Sequence, residues 1–176
     1  YQYEQMLEDL KLFLAYGTDG AVFGFLTEDR EIDEQRTKEF VQIIHDEGAK
    51  AVFHRAFDCV KDPYQAMETL IDLGVDRVLT SGMEKTAEEG LPLLRELQSR
   101  YGGRIEILPG SGINEENAVR IMQEAGVSQV HSSCKGISED PTTAGEKVSF
   151  AADGGENLSY GHVSPEKVEA MLKVCL

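Results

Sequence analysis

The chain has 176 residues and a formal net charge of −15, from 17 Lys and Arg against 32 Asp and Glu. That length predicts a single domain over residues 1–176. The charge argues against nucleic acid and anionic membrane surfaces as partners, because both require a positive face. No apolar run approaches the roughly 20 residues of a membrane span.

Met6, Leu7, Leu10, Phe13 and Leu14 fall on one helical face, so the chain opens with a helix. Ala21 to Leu26 is a short apolar run after Gly17 and Gly20, and predicts the first strand. Asp33 is the expected N-cap of a helix with Phe40, Val41, Ile43 and Ile44 on its core face, closed by Gly48. The second strand is Ala51 to Asp58, AVFHRAFD. Asp62-Pro63 starts the next helix, with Ala66, Met67, Leu70 and Ile71 facing the core and Gly74 ending it.

Arg77 to Ser81 is the third strand. Thr86 and Glu89 have capping-box spacing, but Pro92 disrupts an internal turn, so regular helix is expected only from about Leu91 to Tyr101. Arg104 to Leu108 is the fourth strand, Asn114 caps a helix through Ala125, and Gln129 to Ser133 is the fifth strand. Residues 136–163 are rich in Gly, Ser, Thr and Asp without a period, and read as a long loop. Ser164-Pro165 starts the last helix.

Strands and helices alternate, and each helix returns the chain to begin a parallel neighbour. No G-x-G-x-x-G opens a helix after a first strand, which argues against a dinucleotide fold. The expected class is α/β, a (β/α)8 TIM-type barrel. Five strands do not close eight, and Tyr1 lies within a helical pattern without a preceding methionine; about three N-terminal strands are expected upstream.

Alternate residues of a strand share a face. That places His54, Asp58, Glu106, Gln129, His131 and Ser133 on the barrel interior and turns Arg55 outward, unless the strand end twists it over the rim. His54, Asp58, His131 and Ser133 come late in their strands, at the rim where such barrels place active sites. These four are expected in one shared pocket; with Arg55 they are the catalytic candidates, and Glu106 lies deeper as a supporting partner. Gly110-Ser111-Gly112 joins a strand to a helix start, where close backbone approach and free N–H groups suit an anion. The residues by themselves suggest an enzyme acting on a small anionic or phosphorylated ligand, with His54 or His131 as acid/base and Arg55 as anion partner.

The three cysteines, Cys59, Cys134 and Cys175, are widely spaced and form no CxxC pair, which argues against a zinc or disulfide framework and fits a reducing, cytoplasmic compartment. Cys59, Met83 and Cys134 each follow a strand end; Cys175 lies far off, in the last helix.

FHRAFD at 53–58, DPYQAMETLIDLGVDRVLTSG at 62–82, EEGLPLLREL at 88–97, RIEILPGSGI at 104–113 and VHSS at 130–133 together resemble the CutC copper-homeostasis family. VFGFLTEDREID at 22–33 and YGHVSPEKVEAM at 160–171 are similar to it as well. The resemblance implies a cytoplasmic (β/α)8 barrel with a role in copper binding or trafficking. Copper in its reduced state prefers soft donors, which makes Cys59, Met83 and Cys134 the expected metal ligands. Ser111 departs from the family pattern, which has a third consecutive glycine there. Unpaired outer strands also make a homo-oligomer an expected partner state.

Overall fold

The computed structural model describes residues 2–145, 147–148 and 158–176. Among the described residues, six α-helices run Gln2–Ala15 (α1), Glu34–Asp46 (α2), Pro63–Asp72 (α3), Leu91–Tyr101 (α4), Ala118–Ala125 (α5) and Pro165–Cys175 (α6). Strands Gly20–Phe23 (β1), Lys50–Phe53 (β2), Arg77–Thr80 (β3) and Glu106–Pro109 (β4) form one parallel sheet in the order β1-β2-β3-β4. Each strand pairs with its sequence neighbour through a helical crossover, as in a barrel wall.

Strand parity holds throughout the sheet. Phe23, Ala51, Phe53, Val78 and Ile107 face the helices and are buried. The opposite face carries Val22, Val52, Arg77, Leu79, Glu106 and Leu108. Between sheet and helices, Phe23, Phe25 and Phe40 pack with ring centroids 4.8–5.9 Å apart, near Tyr3 and Phe53. Local signals set the helix starts. Asp33 accepts from the Arg36 N–H, Asp62 from the N–H groups of Tyr64 and Gln65, and Ser164 from that of Lys167. Thr86 and Glu89 bond reciprocally in a turn of their own, and α4 begins at Leu91 with Pro92 inside its first turn, where a missing N–H costs nothing. Asn114 caps the turn before α5, which itself starts only at Ala118.

Three expectations need correction. The second strand stops at Phe53, because His54 turns the chain into a short 3-10 helix over Arg55–Cys59, its Nδ1 accepting from the Ala56 N–H at 3.1 Å. Gln129 to Ser133 is no strand: it meets β4 through one bridge, Gly110 to His131, with the His131 N–H donating to the Pro109 carbonyl at 2.8 Å. N–H and C=O of a strand residue point to the same side, so Pro109 would need an N–H to return the ladder bond, and it has none. The segment read as a loop over 136–163 contains most of an antiparallel hairpin, Lys135–Glu139 (β5) with Ser159–Val163 (β6). Its glycines and serines hid the alternation; residues 146 and 149–157 of that segment lie outside the described residues.

Candidate functional site

The 3-10 turn after β2 brings Arg55 and Asp58 to the carboxyl end of the sheet. The Asp58 side chain is only 7% exposed. Its Oδ1 accepts from the Thr80 hydroxyl (2.5 Å) and the N–H groups of Ser81 (3.0 Å) and Met83 (3.2 Å). Its Oδ2 accepts from Arg55 Nε at 2.7 Å and lies 2.9 Å from Ser81 Oγ. Arg55 Nη2 donates to Ser81 Oγ at 2.9 Å. Ser81 Oγ also lies 2.6 Å from the Glu84 carbonyl, and its single proton serves one of these two acceptors at a time. A buried carboxylate with this many donors is fully engaged, and its task is to hold Arg55 and the β3 end in place.

Arg55, expected to turn outward unless the strand end carries it over the rim, therefore leans over the rim. It lines an open cleft of about 380 Å³ together with Leu79, Ser111, His131, Ser133 and Cys134. Lys135 and Lys167 close the far side, the Lys167 ammonium donating to the Lys135 carbonyl at 2.7 Å. Of the four residues expected to share a pocket, the cleft takes His131 and Ser133. Asp58 sits behind Arg55, and His54 is held against Gly24, where an added Cβ would meet its ring at 2.6 Å. His54 and Asp58 leave the expected strand face because β2 ends at Phe53 and the chain turns into the 3-10 helix, where alternation no longer applies.

Ser111 and Gly112 adopt left-handed φ values of 87° and 70°, with Ser111 Oγ donating to the Lys85 carbonyl at 2.7 Å. Gly110 is buried against Leu79 and His131. The N–H groups of Asn114, Glu116 and Asn117 are bound by the side chains of Asn117 and Asn114, so they are not free to meet an anion at the helix start. Glu106 lies at the opposite end of the sheet. Its carboxyl is held below the ordinary carboxylate value by the hydrogen bond from Arg77 at 2.6 Å, against desolvation, with Gln129 adding a bond at 3.1 Å.

Cys59 is exposed, Cys134 half-buried, and all three cysteines are free thiols. Met83 packs on the core, and neither it nor Cys59 lines the cleft. No group of three or more His, Cys, Asp and Glu suited to a metal ion occurs among the described residues. Sequence reasoning missed Ser81, Lys135 and Lys167. Ser81 was findable as the polar residue ending β3; Lys167 reaches the cleft only through the packing of α6, which leaves no local signal.

A parallel sheet walled by helices, with its polar side chains gathered at the strands' carboxyl ends, is the layout of a TIM-type α/β barrel. The native KDPGal structure, a TIM barrel 12% identical, superimposes with a TM-score of 0.55 over 95% of this chain and 63% of its own. The sequence model of the CutC family matches residues 1–136, and the chain belongs to that family. It is 50% identical over 143 residues to a CutC family protein of Treponema denticola, covering 81% of this chain and 57% of that one. It is 45% identical over 132 residues to the copper homeostasis protein cutC homolog of Homo sapiens, covering 75% and 48%. The crystal structure of the putative copper homeostasis protein CutC from Streptococcus agalactiae matches with a TM-score of 0.68 and 31% identity, over 73% of this chain and 62% of that one. The chain spans about half the length of the curated relatives it matches.

Proposed function

We propose that this chain acts in copper homeostasis, as a cytoplasmic protein that binds or passes on copper. The observation that carries this is its 45% identity to mammalian proteins named for that role. The soft side chains first in line as ligands were Cys59, Met83 and Cys134; among them Cys134 has the strongest support, since it alone lines the cleft. No described helix is long and apolar enough to cross a membrane. Deleting the gene and measuring total cell copper and growth under added copper tests the role. A change in copper content or tolerance, restored by re-expression, is expected; unchanged content and tolerance would refute it.

One observation favours a second reading. Arg55, His131, Lys135 and Lys167 line a single cleft at the rim, where Glu115 is the only acidic residue among the described ones. Side chains of that kind suit a small anionic or phosphorylated ligand, with His131 placed for proton transfer. Inorganic phosphate titrated against the chain, followed through the His131 ring resonances, checks this. Saturable shifts that vanish in Arg55→Gln are expected; unshifted resonances count against it.

A further inference from the structure

Helix α6 turns Val168, Met171, Leu172 and Cys175 to one side, at the spacing i, i+3, i+4 and i+7 of a single face. These four, with Met122 and Cys134, line a cavity of about 400 Å³ against α5. Met122, Cys134, Met171 and Cys175 all carry sulfur. The chain has 5 Met and 3 Cys, so half of its sulfur side chains surround this one space. Among the described residues, no acidic, basic or imidazole side chain lines it.

Cys134 is brought there by a backbone that resists its side chain. Its φ is 44°, left-handed, a conformation that costs a non-glycine residue about 1 kcal/mol or more. The surroundings hold it: its N–H donates to Ser132 Oγ at 3.2 Å, and its carbonyl accepts from the Ser164 N–H at 2.9 Å. Ser164 is the N-cap of α6. The segment carrying one thiol is thus bonded to the start of the helix carrying the other thiol and Met171. Cys134 and Met171 also line the rim cleft, so the two spaces share a wall.

Thiolate and thioether donors select Cu(I), whereas hard divalent cations favour carboxylates, and the only side-chain oxygens among the described residues lining this cavity are the neutral ones of Ser128, Gln129 and Ser132. We propose that the cavity between α5 and α6 is a Cu(I) site, with Cys134 and Cys175 as thiolate ligands and Met171 and Met122 as thioether donors. Copper arrives already reduced. Each thiol that coordinates releases its proton to solvent, and no electron changes hands. This site rests on the copper-homeostasis reading and departs from the strand-end set, because it replaces Cys59 and Met83 with Cys175 and two other methionines.

The test is Cu K-edge X-ray absorption on the whole chain loaded anaerobically with Cu(I) alone. Expected are sulfur scatterers at about 2.2–2.4 Å, by analogy with the zinc–thiolate distance. Their loss is expected in Cys134→Ser/Cys175→Ser, with no change in Cys59→Ser. Met171→Leu keeps the side-chain volume, so a drop in sulfur scattering there, at an unchanged unfolding midpoint, separates ligation from folding. Retention of the wild-type spectrum by the double variant, or a spectrum of nitrogen and oxygen alone, overturns the site. Either leaves the copper-homeostasis role standing, since that role is decided by cell copper.

Discussion

Asp58 shows how one side chain organises the rim. Its carboxylate accepts from two backbone N–H groups, the Thr80 hydroxyl and Arg55, almost out of contact with water. Removing it leaves those donors unsatisfied, and a buried donor without a partner costs about 1–3 kcal/mol. Asp58→Ala should therefore lower unfolding stability by about 3 kcal/mol or more. Urea denaturation measures this. A stability loss near zero would mean that Asp58 serves ligand chemistry and does not hold the fold. Thr37 on α2 presents the opposite case: fully buried, with its hydroxyl unpartnered among the described residues. Thr37→Val keeps the shape and removes the stranded group, and a gain of about 1 kcal/mol is expected in the same assay.

Between elements, Asp76 ties the starts of β2 and β3 together. Burial pushes its carboxyl up, but the bonds from His45 (2.9 Å), the Ala51 N–H (2.7 Å) and Lys50 (3.0 Å) outweigh this and bring it below the ordinary carboxylate value. A folded-state value below the unfolded one stabilises the protein fully above the ordinary carboxylate range, and that contribution is lost as pH falls through the folded value. Asp76→Asn should be less stable than the parent by about 1 kcal/mol at neutral pH and equal to it in strong acid. Denaturant midpoints across that range give the answer, and a constant difference at every pH would show that the charge of Asp76 does not contribute. Periodicity and caps made the helices and the first four strands legible, because Asp33, Asp62, Ser164 and the apolar faces act locally. The fifth strand was illegible because Pro109, on its neighbour, decides whether it can pair. His54 and Asp58 were misplaced by a turn that only the His54 side chain announces. Cys175 was set aside for its distance in sequence, and only the packing of α6 on α5 puts it on one cavity with Cys134.

At the scale of the molecule, β1 is an edge strand: Val22 is 63% exposed, and a groove lined by Met6, Phe13 and Val22 runs beside it. Open parallel edges with apolar faces invite pairing with another chain. The 176-residue chain by itself should sediment as an oligomer or larger assembly; a stable monomer at high concentration would refute that. The arc of barrel wall holds a polar rim, and copper binding by the chain that carries it is measured by titrating the wild-type chain with Cu(I) in competition with a chromophoric chelator. The protein should withdraw one equivalent of Cu(I) per chain from the chelator. Full retention of copper by the chelator at every protein concentration would contradict it.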